Sequence, residues 1–375
     1  MRRVSVFGST GSIGVNTVDI LAHQGGAEVY DVVALTGAGN VELLAEQAKS
    51  LRARVAVTAH VNCYQPLKEA LSGSGIEAAA GEDALAQAAT EPTDWAMSAI
   101  VGVAGLRPGL EALKTGATLA LANKESLVCA GGLVKETVRN HGGSLLPVDS
   151  EHSAIFQCLE GHTSTKFERI ILTASGGPFR TWSRDDMAQV TPDQAKAHPN
   201  WDMGARISID SATMFNKALE MIEAQVLFEA RPEQIEVVVH PQSIIHSMVG
   251  FEDGAIMAHL GPSDMRGAIG YALNHPDRKP LPLDRLNFAE LGALTFEPAD
   301  EERFPSLRLS KEVMDIGGLA GAVFNGAKEC ALDEFLSGSI GFLDMARLVT
   351  HVMAHLSDEA SRIGDGYGLD DVLAL

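Results

Sequence analysis

The chain has 375 residues, which at roughly 150 residues per domain predicts two or three domains. Apolar residues make up 46% and charged residues 21%, a composition that excludes disordered, collagen-like and coiled-coil proteins. The 29 Lys and Arg against 49 Asp and Glu give a net charge of -20, so nucleic acid and anionic membrane surfaces are not expected partners.

Signals for export or membrane insertion are weak. The longest promising apolar stretch, residues 95–106, has 12 residues, whereas a membrane-spanning helix needs about 20. Glycine and hydroxyl residues soon after Met1 interrupt any signal-peptide core. The cysteines are far apart and form no C-x-x-C pair, as is typical of reduced thiols. We therefore expect a cytoplasmic protein.

Strands and helices alternate in the first part of the chain. Strands are predicted at residues 4–7, 31–35, 54–58, 95–101, 118–122 and 143–148. Helices are predicted at residues 13–22, 41–51, 66–71 and 83–89. Repeated units of this length predict an α/β, Rossmann-like fold with a parallel sheet and helices on both faces.

This alternation ends after Val148. A helix from residue 153, a strand at 169–173, a polar loop to 207, a helix at 213–228 and strands at 235–239, 244–251 and 255–260 are predicted next. Four prolines between Asn274 and Pro298 indicate a linker, and helical spacing returns from about residue 310. We therefore predict a parallel-sheet domain at 1–149, an α+β domain at 150–274, a linker at 275–300 and a small helical bundle at 301–375.

A glycine-rich turn follows the first strand and opens the first helix. In Gly8-Ser-Thr-Gly11-Ser-Ile-Gly14, backbone amides and the helix dipole suit a pyrophosphate, although a tight turn without a ligand also fits. The second strand ends in Thr36-Gly37-Ala38-Gly39-Asn40, which offers no acidic residue to an adenosine ribose. The sequence therefore favours NADP over NAD.

Three acidic residues are candidates for holding a cation. Asp149 and Glu151 lie two residues apart after a strand, and Glu220 shares a helix face with Asn216 and Lys217. Solvated carboxylates and an ordinary Lys217–Glu220 ion pair are the alternatives. Oxygen ligands of this kind indicate Mg²⁺ or Mn²⁺.

Two polar loops are candidates for binding a ligand. Thr173-Ala-Ser175-Gly-Gly177-Pro follows a strand and suits either a phosphate or a plain turn. The loop from His198 to Gly204 contains an aromatic residue and a methionine, as a lid does, although a surface tryptophan can also simply pack down. His240 and His246 are interpreted as core histidines without a role.

Eight sequence segments, spread over nearly the whole chain, together resemble the 1-deoxy-D-xylulose-5-phosphate reductoisomerase family. They are GSTGSIG at 8–14, ANKESLV at 122–128, PVDSEHSAIFQ at 147–157, TASGGPF at 173–179, HPNWDMG at 198–204, SIDSATMFNKALEMIEA at 208–224, VVHPQSIIHSMV at 238–249 and GFLDMA at 341–346.

The resemblance implies an enzyme of the non-mevalonate isoprenoid pathway. It would convert 1-deoxy-D-xylulose 5-phosphate to 2-C-methyl-D-erythritol 4-phosphate with NADPH and Mn²⁺ or Mg²⁺. A retro-aldol and aldol rearrangement through a metal-stabilised enediolate would precede hydride transfer. The family also implies a homodimer and an NADPH-binding role for residues 1–149.

The resemblance further implies roles for individual residues. The metal ligands would be Asp149, Glu151 and Glu220, and the catalytic candidates are Glu151, Lys124 and His198. The substrate would be bound by Lys124, Ser150, Glu151, Ser175, His198, Trp201, Met203, Ser211, Asn216, Lys217 and Glu220, with Trp201 and Met203 on a closing flap. The cofactor would be bound by Thr10, Gly11, Ser12, Ile13, Gly39, Asn40, Asn123, Glu125 and Gly204.

One position departs from the family pattern. Many members carry Lys or Arg directly before the residue that matches Asn40, where this chain has Gly39. We expect the preference for NADPH over NADH to be retained but reduced, with Thr36, Asn40 or backbone amides at the 2′-phosphate.

Two other functions were weighed against this one. A metal-independent dehydrogenase, such as one that reduces a semialdehyde, would keep its activity after chelation. A non-catalytic NADP-binding regulator would share the fold, but the intact set Asp149, Glu151, Lys217 and Glu220 argues against it.

Overall fold

The computed structural model describes residues 1–161, 167–201, 204–362, 364 and 366–374. Contacts between residues divide the chain into two compact units. The first unit comprises Met1–Ser126, Leu133–Ser150 and Asp264–Leu283, and the second comprises Leu127–Gly132, Glu151–Ser263 and Asp284–Leu375. Within the described residues, every helix is too short or too polar to cross a membrane.

The first unit is built on a parallel sheet of seven strands in the order β4-β3-β2-β1-β5-β6-β7. These strands are β1 Arg2–Phe7, β2 Tyr30–Gly37, β3 Val55–Thr58, β4 Glu77–Ala80, β5 Trp95–Ser98, β6 Thr118–Leu121 and β7 Ser144–Pro147. The strand order reverses at β1, which pairs with β2 on one side and β5 on the other. In such sheets, ligands bind beyond the carboxyl ends of the strands at this reversal.

The second unit contains a mixed sheet of five strands in the order β11-β10-β8-β9-β12. These strands are β8 Phe167–Ala174, β9 Ile235–Val239, β10 Ile245–Phe251, β11 Ile256–Leu260 and β12 Glu297–Pro298. Strands β8 and β9 are parallel, whereas the other pairings are antiparallel. The chain leaves β8 at Ala174, so the Thr173–Pro178 loop emerges from the middle of this sheet.

The α-helices in the described residues follow in chain order. They are α1 Ser12–His23, α2 Val41–Leu51, α3 Tyr64–Ala70, α4 Glu82–Ala89, α5 Leu106–Lys114, α6 Lys124–His141, α7 Ser150–Leu159, α8 Arg184–Met187, α9 Pro192–Ala195, α10 Ala205–Ala212, α11 Phe215–Phe228, α12 Arg266–Asn274, α13 Phe288–Leu291, α14 Ser306–Ile316, α15 Ala320–Leu336, α16 Phe342–Arg362 and α17 Leu369–Ala374. Short 3-10 helices span Gly26–Glu28, Val61–Cys63, Val103–Gly105 and Pro232–Gln234.

Apolar runs determine where the core of each unit lies. In β1 the four residues Val4–Phe7 are all buried, as expected for a central parallel strand with helices on both faces. Trp95 of β5 is fully buried, and its indole N–H donates to the carbonyl of Ala272 in α12 at 3.0 Å. This bond ties α12 to the first unit, although it lies far along the chain.

The structure confirms the α/β class and the parallel sheet, but it corrects several predicted elements. The predicted loop to residue 207 contains α8 and α9, and α10 begins at Ala205. Helix α11 begins at Phe215 rather than 213, because Met214 has a positive φ of 59° that interrupts the helix. The predicted linker contains α13 and β12, which pairs with β9.

Candidate active site

The glycine-rich turn lies at the carboxyl end of β1, where the strand order reverses. A Cβ atom on Gly8 would lie 2.7 Å from the carbonyl oxygen of Ala99, and one on Gly14 would lie 2.1 Å from the carbonyl oxygen of Gly8. The Gly8 amide donates to Oγ1 of Thr36 at 2.9 Å, which fixes the turn against β2. Backbone packing therefore excludes a side chain at positions 8 and 14 of this turn.

The turn leaves the amino end of α1 open to an anion. The helix starts after Gly11, and no side chain caps its first amides among the described residues. Oγ of Ser9 is buried and has no hydrogen-bond partner there. Uncapped amides and a buried hydroxyl suit a pyrophosphate. This agrees with the prediction that the cofactor contacts Thr10, Gly11, Ser12 and Ile13.

The second predicted cofactor segment caps the next helix. Oδ1 of Asn40 accepts from the Leu43 amide at 3.2 Å at the start of α2. Thr36 is buried with its hydroxyl already engaged by Gly8. A side chain at position 39 would begin 3.8 Å from Cδ2 of the exposed His60, so this imidazole lies beside the second predicted cofactor segment. Sequence reasoning missed His60, although its position just after β3, beside β2, was a usable signal.

Asn123 and Lys124 are held at the start of α6. Asn123 donates to the carbonyls of Ile100 at 2.5 Å and Gly102 at 2.8 Å, and its Oδ1 accepts from the Ser126 amide at 2.7 Å. Lys124 Nζ pairs with the carboxylate of Asp149, and both side chains are largely buried. The cofactor candidate Glu125 lies beside them in the first turn of α6.

In the second unit, the buried carboxylate of Glu220 and the half-buried carboxylate of Glu151 converge on one lysine. Lys217 of α11 is 4% exposed, and its Nζ donates to Oε1 of Glu151 at 2.8 Å and also to Glu220. Asn216 donates to the other oxygen of Glu220 at 2.5 Å. One oxygen of Glu151 and one of Glu220 lie within 4.8 Å of each other. These four residues form the acidic cluster of the second unit.

The two carboxylates of the acidic cluster stabilise the charged form of Lys217. Burial by itself lowers the pKa of Lys217, but the charges of Glu151 and Glu220 outweigh it, so the pKa is raised. The ammonium group therefore remains charged and compensates the two carboxylates. Oδ1 of Asn216 is buried and without a hydrogen-bond partner among the described residues, which leaves a further oxygen for a hard cation.

Asp149 and Ser150 lie on the first unit, at the start of α7. Asp149 precedes Glu151 by two residues, and two peptide units extend at most roughly 7 Å. Chain connectivity thus holds Asp149 close to the first turn of α7, which carries Glu151.

Ser175 and His198 form a polar contact after β8. His198 Nδ1 accepts from the amides of Asn200 at 3.2 Å and Trp201 at 3.0 Å. The proton of the neutral ring is therefore on Nε2, which donates to Oγ of Ser175 at 3.0 Å. Burial lowers the pKa of His198, in agreement with a neutral ring. The Trp201 ring packs 6.3 Å from that of His246, while Met203 lies outside the described residues.

The carboxyl end of α10 brings Ser211 against the same loop. Gly177 has a φ of +64°, and a Cβ there would lie 3.0 Å from the carbonyl oxygen of Ser211. Only glycine fits this close approach comfortably. Gly204 is the N-cap of α10. The structure therefore places Ser175, His198 and Ser211 around one loop of the second unit.

His240 is a buried structural residue, as the sequence indicated. It is 0% exposed, and its Nδ1 lies 2.9 Å from the carbonyl oxygen of Thr295. Its Nε2 accepts from the Ile244 amide at 3.2 Å.

Family profiles and relatives match almost the whole chain. Profiles described as 1-deoxy-D-xylulose 5-phosphate reductoisomerase match residues 4–131, and those of its C-terminal domains match residues 145–228 and 260–374. A relative of that name from Ruegeria pomeroyi is 59% identical over 372 residues, covering 99% of this chain and 94% of its own. One from Cereibacter sphaeroides is 58% identical over 375 residues, covering 100% and 95%. The chain belongs to the 1-deoxy-D-xylulose 5-phosphate reductoisomerase family.

Solved structures of reductoisomerases have the same fold. The enzyme from Zymomonas mobilis in complex with NADPH is 50% identical, with a TM-score of 0.92 over 100% of this chain and 95% of that chain. A reductoisomerase in complex with NADPH, fosmidomycin and magnesium is 36% identical, with a TM-score of 0.94 over the same shares. The predicted family is therefore confirmed.

Proposed function

We infer that the chain catalyses the NADPH-dependent conversion of 1-deoxy-D-xylulose 5-phosphate to 2-C-methyl-D-erythritol 4-phosphate with a divalent metal ion. Family membership carries this inference, and the acidic cluster is the structural observation that supports it. A cluster of two carboxylates, an amide and a lysine suits a hard cation and a sugar phosphate. A dehydrogenase without a metal would not need such a cluster.

We propose that Asp149, Glu151 and Glu220 hold the cation. Lys217 pairs with both Glu151 and Glu220, so binding of a cation to these carboxylates would free the lysine for the substrate. When bound, the cation supplies Lewis-acid stabilisation of negative charge on substrate oxygens, and NADPH supplies the hydride. Mg²⁺ and Mn²⁺ both suit oxygen ligands.

The phosphate of the substrate is assigned to the loop after β8 and to the helices next to it. Ser175 and Ser211 offer hydroxyl groups, Asn216 offers an amide, and Lys217 offers a charge. The neutral His198 orients the Ser175 hydroxyl through Nε2. These groups would recognise a phosphate through charge and hydrogen bonds, although the net charge of the chain is -20.

Glu151 is proposed to accept a proton from the sugar, and Lys124 is proposed to position the sugar. Cleavage of the C3–C4 bond by a retro-aldol step requires the C4 hydroxyl to lose its proton, and Glu151 is the carboxylate we assign to accept it. Lys124 and Ser150 would bind the sugar oxygens. Trp201 and Met203 would exclude water over the bound substrate.

NADPH is assigned to the turn at the carboxyl end of β1. Thr10 to Ile13 would bind the pyrophosphate, and Gly39 and Asn40 would lie at the adenosine end. Asn123, Glu125 and Gly204 would lie nearer the nicotinamide.

We also propose the division into four parts at 1–149, 150–274, 275–300 and 301–375, a homodimeric assembly and a cytoplasmic location. The cysteines are far apart in the sequence and form no C-x-x-C pair, which supports a reducing compartment.

One assay tests the activity directly. NADPH oxidation is measured with 1-deoxy-D-xylulose 5-phosphate, with Mn²⁺ or Mg²⁺ and after full chelation. We expect turnover only with metal, and formation of 2-C-methyl-D-erythritol 4-phosphate. Activity that survives chelation would instead support a metal-independent dehydrogenase, and NADPH binding without any oxidation would support a regulator.

A further inference from the structure

A buried ion pair joins α15 to α10 in the second unit. Lys328 of α15 is 1% exposed and Asp210 of α10 is 5% exposed, and Lys328 Nζ lies 3.0 Å from Oδ2 of Asp210. Lys328 also pairs with Glu329, which in turn pairs with Arg206 one turn before Asp210. The proposed reaction uses none of these side chains.

Helix α10 needs such an anchor because it is short. It has eight residues, and no side chain caps its amino end at Gly204 within the described residues. A helix of this length is unstable on its own, so contacts with other elements must hold it. Arg206 and Asp210 lie four residues apart and therefore share one face, and this is the face that α15 holds through ion pairs.

The carboxyl end of α10 leads into residues that are proposed to bind the substrate phosphate. Ser211 directly follows Asp210, and its carbonyl is packed against Gly177 of the loop after β8. The Thr213 hydroxyl donates to the carbonyls of Ile209 at 2.8 Å and Asp210 at 3.2 Å. The chain then turns through Met214 into Asn216 and Lys217 of α11.

The stability of the folded state does not by itself explain a buried charge pair. Apolar residues of similar volume at both positions are often as stable or more stable, because charges lose much hydration on burial. We propose that Lys328 is a positioning residue, which holds Asp210 and so fixes Ser211 and the following turn for the substrate phosphate. This inference rests on the proposed function, because it takes Ser211 as a phosphate ligand.

The test compares Lys328→Met with wild type and with Lys311→Met. Lys311 pairs with Glu301 at 2.6 Å on the surface, so the control makes the same substitution at an exposed pair. For Lys328→Met we expect KM for 1-deoxy-D-xylulose 5-phosphate to rise about tenfold, with kcat changed less than about threefold. The Kd for NADPH, measured by titration, should be unchanged. For Lys311→Met all three values should match wild type.

A second variant keeps the test valid if Lys328→Met unfolds. Lys328→Met with Asp210→Leu removes both charges, and we expect it to fold but to keep the raised KM. A double-mutant cycle with Ser211→Ala adds a readout that a purely structural role would not move. If Lys328 acts through Ser211, its replacement in the Ser211→Ala background should raise KM much less than in wild type.

The outcomes separate this inference from the proposed function. If wild type does not turn over the sugar phosphate, the proposed function fails. If wild type is active and the folded Lys328 variants keep a wild-type KM, only the positioning role is wrong. Equal losses of kcat, substrate affinity and NADPH affinity would also overturn it, because they indicate general damage.

Discussion

Lys217 connects the two carboxylates of the acidic cluster. It shares a helix face with Glu220, and that spacing is visible in the sequence. Its contact with Glu151 spans 66 residues and follows only from the fold. In the proposed function, its ammonium group competes with the metal for the same oxygens, so Lys217 would oppose metal binding while it assists substrate binding.

Replacing Lys217 should therefore move two affinities in opposite directions. In Lys217→Met, the carboxylates of Glu151 and Glu220 lose their compensating charge, so Mn²⁺ should bind more tightly in the absence of substrate, by about tenfold. The KM for the sugar phosphate should rise by a similar factor, because an attraction to phosphate is lost. Titration of Mn²⁺ and steady-state kinetics measure the two effects. Weaker Mn²⁺ binding would contradict this view of the cluster.

Gly39 should weaken the discrimination between the two nicotinamide cofactors. No cationic side chain is available at this position, and the hydroxyl of Thr36 is engaged by the turn. The ratio of kcat/KM for NADPH to that for NADH should therefore be above one but lower than in Gly39→Lys.

Gly39→Lys checks this prediction, because it should raise the NADPH preference. A wild-type preference as strong as that of Gly39→Lys would show that position 39 does not matter.

At the level of elements, the loop that begins at His198 should respond to pH. The folded-state pKa of His198 lies below its ordinary value because the ring is buried. The unfolded chain therefore binds more protons below about pH 6.5, and the folded loop loses stability as the pH falls through that value. Protonation of Nδ1 would also break its bonds with the amides of Asn200 and Trp201.

Tryptophan fluorescence can report this transition. We expect the emission of Trp201 to change between about pH 7.5 and pH 5.5, with Trp201→Phe defining the contribution of the other two tryptophans. His198→Asn should abolish the change, because its amide oxygen can accept the same N–H groups and does not titrate. An unchanged pH profile in His198→Asn would assign the transition to another group.

The elements that the sequence failed to predict share a physical cause. Apolar periodicity identified α11 and six of the seven parallel strands, because their buried faces are continuous. It missed β4, whose residues are exposed or only half-buried. Helix α10 reads ARISIDSA, and its polar residues find buried partners such as Lys328 only after folding. Helix α12 lies in the first unit because of contacts such as that between Trp95 and Ala272, which span 177 residues and leave no local signal.

For the molecule as a whole, the glycine-rich turn belongs to the first unit and the acidic cluster to the second, so the effects of their proposed ligands on stability should be separable. A ligand that binds only the folded state stabilises it by about 2.7 kcal/mol at a concentration 100 times its Kd. NADPH should raise Tm through the turn of the first unit. Mn²⁺ should raise Tm through the carboxylates of the second.

Glu220→Gln distinguishes the two contributions. The amide keeps the size of the side chain and can still bond with Asn216, but it removes a charged metal ligand. Turnover and the Mn²⁺-dependent shift in Tm should be lost, whereas the NADPH-dependent shift should stay as in wild type, because the turn around Gly8–Gly14 is unchanged. Glu236→Gln is a matched control on an exposed ion pair with Arg169. A loss of both shifts in Glu220→Gln would show that Glu220 supports the cofactor as well as the metal.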